Sequence, residues 1–306
     1  MSGGLGNARG YATGAWTLAS GIQLPAEAPP DPRASVDLVT PPAALEGLVD
    51  LITVMVTPHS VSTKLLLGQL PAPGAQVILT VGDDLEAALL VIPAQPRLTM
   101  LPPTTRQLVA VSLSPTGLRL LAPRGGLALK AQDPVALEHF WGRAARALLH
   151  DLLLEPQPYR RALALAGALE ARSKRIDHAH PVARRATSIL VRERGGISLG
   201  AIAASCRCSR RTLLSVVSAE TGLGPKHLAR ILRLRHAVAL IAAGRDLDEI
   251  AAEARFSDQS HMTREFRAMV LQSPRRLAKR LLAAPGLGPG FSDRSLLGAG
   301  FVVAQQ

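Results

Sequence analysis

Residues 199–217 read LGAIAASCRCSRRTLLSVV, and residues 247–266 read LDEIAAEARFSDQSHMTREF. These are one unit written twice. Leu199, Ile202, Ala203 and Arg207 recur as Leu247, Ile250, Ala251 and Arg255, at an offset of 48. Past the turn the offset becomes 49, with Leu213 and Val217 recurring as Met262 and Phe266. Gly224-Pro225 then answers to Ser273-Pro274, and Leu228 and Ala229 answer to Leu277 and Ala278. A repeat of this length carrying a helical pattern means two copies of one supersecondary unit.

Each copy reads as helix, tight turn, helix. In the first, Ser198 is the expected N-cap, its hydroxyl accepting a free N–H of the first turn. Leu199, Ile202 and Ala203 follow on one helical face. Cys206-Arg207-Cys208 forms the turn, and Ser209 caps a second helix buried through Leu213, Val216 and Val217. In the second copy Asp246 caps Leu247 to Ala254, Arg255 and Phe256 occupy the turn, and Ser257 is the expected cap of a helix buried through Met262, Phe266 and Met269. Ala203 and Ala251 are small where two steeply crossing helices must approach. This is the sequence form of a helix-turn-helix, whose second helix can enter a major groove.

Over residues 181–282 the chain resembles the DNA-binding domain of the AraC/XylS family of bacterial transcription regulators. The most specific part is Ile250-Ala251 followed by the run Phe256 to Phe266 and by Ser273-Pro274. Thr221-Gly222 and Pro225 match the family signature after the first motif. The resemblance implies base-reading positions Arg211, Leu214 and Ser215 in the first motif. In the second it implies Gln259, Ser260, His261, Thr263 and Arg264. Ser209 and Ser257 fall where helix N-termini hold phosphates. Arg210, Lys226 and Arg275 are further phosphate-binding candidates, the last two at equivalent helix starts. The family has Gly in each turn where this chain has Arg207 and Arg255, and Gly before the closing Ser-Pro where it has Leu271. If those turns take φ > 0, a non-Gly residue costs about 1 kcal/mol each.

Charge follows the repeat. Of the 306 residues, 181–284 carry 19 Lys/Arg and 8 Asp/Glu, against 15 and 14 in residues 1–180. The net +12 therefore sits almost wholly on the duplicated unit, as expected of a polyanion-binding half joined to a neutral one. Aromatic residues make up 3% of the chain, so its core must be built from Leu, Val, Ile and Ala. Cys206 and Cys208 are the chain's two cysteines. A C-x-C pair supplies two thiolates where structural zinc wants four ligands, and His178 and His180 lie in a linker without supporting pattern. No metal site or cofactor is expected, and the cysteines read as small apolar residues, Cys208 standing where the other copy has Phe256. Two cysteines make no disulfide framework, which fits a reducing cytoplasm.

Working outward, residues 1–35 are rich in Gly, Ala and Pro and read as disordered. Gly3, Gly4, Gly6 and Gly10 lack the strand and helix a phosphate loop needs, and residues 1–35 lack the basic start and continuous apolar run expected of a secretory signal. Residues 36–155 read as a β-rich domain. Leu48–Val56 reads as a short helix passing into a strand. Strands are expected at Leu65–Leu70, Gln76–Val81, Ala87–Ile92, Arg97–Leu101 and Gln107–Leu113. A helix starts at the cap Asp133 and Pro134 and runs to Leu153. A less specific resemblance links this region to an uncharacterised domain preceding the tandem motif in some AraC-type regulators. It rests on Pro42, Leu45, Val49, Ile78-Leu79, Gly82-Asp83, Val109 to Val111, Leu113, Pro115 and Phe140-Trp141-Gly142, and it implies a cupin-like sensor fold. Residues 156–180 read as a helix and linker, 181–284 as the DNA-binding domain with Pro225–Ala243 as the helix joining the motifs, and 285–306 as a disordered tail.

The expected fold is α+β in two domains, a β-rich cupin-like N-terminal one and an all-α C-terminal one. The expected function is sequence-specific transcription regulation through double-stranded DNA, in the cytoplasm and associated with the nucleoid. RNA polymerase is an expected partner and an unknown small molecule an expected effector. No apolar run approaches the roughly 20 residues of a membrane span. No catalytic residue is expected: Asp83, Asp84 and Glu86 sit at a turn without His or Cys, and His59 stands alone on a loop. The rival readings are a non-specific DNA coater, and a small-molecule-binding protein or enzyme anchored to DNA.

Overall fold

The computed structural model of the chain describes residues 16–17, 23–24, 35–56, 66–69, 71–82, 87–92, 97–100, 105–121, 135–176, 179–283 and 301–304. Asp83, Asp84, Glu86, His59, His178, the glycine cluster and the Asp133-Pro134 cap lie outside them.

The N-terminal half is built on antiparallel strands. Two short ones, β1 (Trp16–Thr17) and β2 (Gln23–Leu24), pair with each other. The principal sheet contains β3 (Ser35–Val39), β4 (Val49–Val56), β6 (Gln76–Gly82), β7 (Ala87–Ile92), β9 (Thr105–Leu113) and β10 (Val135–Ala136), in the order β10-β7-β6-β9-β4-β3. A smaller sheet runs β11-β5-β8, from β5 (Leu66–Gln69), β8 (Arg97–Met100) and β11 (Phe301–Ala304).

Side-chain alternation decides which face of the principal sheet is covered. Ile52, Val54, Val77, Leu79, Val81, Val109, Val111 and Leu113 project into one buried cluster. They meet Ala145, Leu148 and Leu152 of α2 (Arg143–Leu154) and Ala162, Leu165, Ala166 and Leu169 of α3 (Pro158–Ser173). A short helix, α1 (Glu138–Trp141), precedes α2. Arg161 is itself buried, donating to the Leu152 carbonyl and to Gln107. The Trp141 indole and Arg172 both donate to the Leu120 carbonyl, with the guanidinium 5.1 Å from the ring centre.

Several expectations are corrected here. Leu48–Val56 is not a helix passing into a strand: the 3-10 turn ends at Leu45 and β4 is extended throughout, because five of its eight residues are buried between neighbours. The helix expected to run to Leu153 is broken at Gly142, which takes φ +57°. The helix expected from Pro158 is present, and its apolar stripe packs into the N-terminal core. Ser35–Val39 pairs with Val56–Ile52, so the ordered sheet begins one residue inside the segment expected to be disordered. Phe301–Ala304 pairs with Gln69–Leu66, and Trp16–Thr17 with Gln23–Leu24, although both lie in terminal segments read as disordered.

The C-terminal half is helical: α4 (Pro181–Arg192), α5 (Leu199–Ser205), α6 (Arg210–Thr221), α7 (Pro225–Ala242), α8 (Leu247–Glu253), α9 (Gln259–Val270) and α10 (Pro274–Ala283). Two cores divide it. Ala183, Ala186, Ile189, Leu190, Ile202, Ala203, Leu213 and Val217 close around Leu228 and Ala229 at the start of α7. Ile231, Leu234, Val238 and Ile241, further along the same helix, close with Ile250, Ala251, Phe256, Met262, Phe266, Met269 and Leu277. Helix α7 is thus a rod shared by both cores. No described helix is long and apolar enough to cross a membrane.

The two halves meet at the 3-10 turn Thr116–Leu120. Arg119 Nε donates to Glu220 Oε2 of α6 at 2.8 Å, with 11% and 12% of the two side chains exposed. The other oxygen of Glu220 accepts the His180 amide at 3.1 Å.

Candidate nucleic-acid interface

Each motif closes its helices with left-handed residues. The C-cap of a helix tolerates φ > 0 because it lets the next amide reach back to a free carbonyl. Glycine does this without strain at Gly222 and Gly244, but Arg194, Arg207, Arg255 and Leu271 do it at φ 50, 51, 57 and 60°. The condition set for a strain cost at Arg207 and Arg255, positive φ, holds at both. The reason is visible in the hydrogen bonds: Cys208 N reaches Ala203 O at 3.1 Å, and Phe256 N reaches Ala251 O at 2.8 Å.

The one-residue change of offset is also located. Cys208 and Phe256 hold equivalent turn positions, and the next element differs. In the first motif Ser209 caps α6, its Oγ accepting from Thr212 N at 3.0 Å. In the second the N-cap is Asp258, accepting from His261 N at 2.6 Å. Ser257, expected to be the cap, is the extra residue; its hydroxyl lies against Asp258 Oδ2 and His261 Nδ1. The amide of His261 and then the Ser257 hydroxyl hold the exposed Asp258 carboxyl below the usual carboxylate range. The caps at Ser198 and Asp246 are as expected, accepting from Ala201 N and Asp248 N.

On α6, Leu213, Val217 and Thr221 face the core, leaving Arg210, Arg211, Leu214 and Ser215 exposed. Leu214 is 44% exposed. On α9, Gln259, Ser260 and Arg264 are exposed, and His261 and Thr263 are half-buried. Gln259 Nε2 donates to Asp248 Oδ1 of α8 at 3.0 Å. His261 Nδ1 lies 3.0 Å from Ser257 Oγ, and its ring stands edge-on to Phe256 at 5.6 Å. Two of the five candidates in the second motif are therefore engaged within it. Lys226 and Arg275 are exposed at the second residues of α7 and α10, as the repeat requires.

The acids of this half are largely turned to partners inside it. Glu265 takes both Nε and Nη2 of Arg230, tying α9 to α7 at 2.8 and 3.2 Å. Glu249 and Glu253 flank Arg245, and Glu193 pairs with Arg192. Cys206 and Cys208 are half-buried against the first core, and burial pushes the Cys206 thiol up. Among the described residues no group of three or more His, Cys, Asp or Glu is placed to hold a metal.

Sequence reasoning missed three contacts: Arg255 Nη1 donating to the Gly196 carbonyl at 2.6 Å, Arg194 against the His236 ring at 3.1 Å, and Arg119 on Glu220. Each joins segments that no periodicity relates.

A family model described as a helix-turn-helix domain matches residues 202–280. No curated protein matches the chain. Among solved structures, the C-terminal domain of AraT, a response regulator from Geobacillus stearothermophilus, is similar at 21% identity and a TM-score of 0.32, covering 34% of this chain and 88% of that one. ToxT from Vibrio cholerae is similar at 13% identity and a TM-score of 0.41, covering 76% of this chain and 98% of that one. Residues 202–280 are a helix-turn-helix domain of the AraC type, the kind carried by DNA-binding transcription regulators.

Proposed function

We propose that the chain regulates transcription by reading DNA with α6 and α9 in successive major grooves on one face of the duplex. The observation that carries this is the pair of recognition helices set on one shared rod, α7, in the basic half of the chain. A rigid connector suits half-sites about one helical turn, roughly 34 Å, apart. Ser209, Arg210, Lys226 and Arg275 serve as phosphate contacts. Ser257 serves less well in that role, because the Asp258 carboxylate beside it repels phosphate. Selection of bound sequences from random duplexes, with the full chain, tests the proposal: two enriched half-sites support it. Equal affinity for selected and random DNA at fixed salt would instead favour a non-specific coater.

Arg264 is proposed as the principal base reader. It is exposed, and a guanidinium can donate twice to the guanine edge, discriminating by about 1–3 kcal/mol. Gln259 pairs likewise with adenine once it releases Asp248, and Ser260, His261 and Thr263 supplement them. In the first motif Leu214 offers apolar contact to a thymine methyl, Ser215 is short, and Arg211 alone reaches a guanine. Arg264→Ala is therefore expected to flatten the sharper half-site in such a selection, and Leu214→Ala to change the other little. Equal sharpness of both half-sites in the unsubstituted protein would show that the reading positions of α6 are wrongly assigned.

The regulatory unit proposed here runs from β3 to α3, and the DNA-binding unit from α4 to α10. The effector is placed in the N-terminal half, where Thr53 Oγ1 is buried without a partner among the described residues. RNA polymerase is the partner such a regulator would act on, in the cytoplasm with the nucleoid, and no catalytic role is assigned. Both helical cores lie wholly within residues 179–283. That fragment alone is expected to unfold in one cooperative helical transition and to bind DNA; a fragment with neither helix nor binding would refute the division.

A further inference from the structure

Arg255 ends α8 in a left-handed conformation that favours glycine, at φ 57°. The side chain justifies its place. It runs across Gly196, in the loop between α4 and α5, so closely that a Cβ on Gly196 would stand 2.3 Å from Arg255 Cδ. Its Nη1 donates to the Gly196 carbonyl at 2.6 Å. The carbonyl of Arg255 in turn accepts Arg233 Nη1 of α7 at 3.4 Å, and the Arg233 guanidinium lies 5.7 Å from the Phe256 ring centre.

The position of this contact matters. Gly196 lies two residues before Ser198, the cap that opens the first motif, and Arg255 lies in the second, so the hydrogen bond joins the entry of one motif to the other without passing through α7. Arg255 also lies three residues before Asp258, the N-cap of α9. A strut from the entry of the first motif thus ends at the start of the second recognition helix. Without it, the two motifs are joined through α7 and through Leu223, which packs against both cores.

We propose that Arg255 is a positioning residue that fixes the separation of α6 and α9, and so the half-site spacing the protein accepts. This rests on the two-groove reading above. Substitution should leave the bases preferred in each half-site unchanged and broaden the tolerated spacing. A phosphate-binding arginine would behave differently: its loss would weaken all spacings alike and reduce the salt slope by about one.

The test uses the full chain on duplexes carrying the two selected half-sites at the best spacing and at one base pair more or less. Arg255→Gly removes the strut and relaxes the left-handed backbone, so folding is retained; Arg255→Lys keeps a single donor. The preference for the best spacing should fall about three- to tenfold in Arg255→Gly, the factor one net hydrogen bond carries, and less in Arg255→Lys. An unchanged spacing preference overturns the proposal, as does a uniform loss with a shallower salt slope. If the unsubstituted protein selects no paired half-sites, the two-groove reading falls, and the strut with it.

Discussion

Raising the salt from about 50 to 200 mM is expected to weaken DNA binding by the full chain about 10³–10⁵-fold, the loss that accompanies some 6–10 neutralised phosphates. The expectation comes from where charge sits and how it is used. Residues 181–284 hold 19 cations and 8 acids. Glu220 is spent on Arg119 at the boundary with the N-terminal half, Glu265 on Arg230, and Glu249 and Glu253 on Arg245. Arg210, Arg211, Arg264, Arg267, Arg275, Arg276 and Lys226 stay exposed. Four of the eight acids are thus paired with arginines other than these seven cations. Residues 1–180 hold 15 cations and 14 acids and should add nothing, so the fragment 179–283 should show the same slope of log affinity against log salt as the whole chain. Lys226→Ala and Arg275→Ala should each reduce that slope by about one, on every sequence alike. A flat salt response in the full chain would contradict the nucleic-acid role altogether.

The helical half was legible because its signals are local. Apolar spacing put Ile202, Leu213, Val217, Ile250, Met262 and Phe266 in the cores, where they lie buried. The capping serine and aspartate at Ser198, Ser209 and Asp246 marked helix starts. The error at Ser257 has a local cause too: Ser257 and Asp258 are both good caps, and an inserted residue leaves spacing unable to choose between them. The N-terminal half was read less well because its elements are decided by partners. Leu48–Val56 has apolar residues at both helical and strand spacings, and pairing with β3 and β9 settles the matter. Helix α3 is amphipathic by itself, but only the sheet beneath shows that it belongs to that core. The contacts of Arg255 and Arg119 span 59 and 101 residues, and no local pattern points across such distances.

Gly195→Ala is expected to destabilise the helical half by about 3 kcal/mol or more, from left-handed strain and overpacking together, whereas Gly244→Ala should cost only about 1 kcal/mol. The two positions form an internal control. Gly195 has φ +73° and Gly244 φ +75°, so backbone strain on adding a side chain is nearly the same at both. Their surroundings differ. Around Gly244 a new Cβ meets nothing within 4 Å, but at Gly195 it would stand 2.1 Å from the Ala229 carbonyl oxygen and 2.9 Å from its carbon. Neither is the movable end of a side chain. Ala229 belongs to α7 and packs in the first core, so relief requires the α4–α5 loop to lift off the rod. That same loop presents the Gly196 carbonyl to Arg255. Lifting it would loosen the first motif and withdraw the acceptor that reaches the second. The comparison is read from denaturant unfolding of the two variants followed by helical signal, with DNA affinity measured beside it. A large loss in Gly195→Ala with a small one in Gly244→Ala isolates the close approach of loop and rod. Equal losses would mean that the left-handed backbone, and not that approach, is what glycine supplies at position 195.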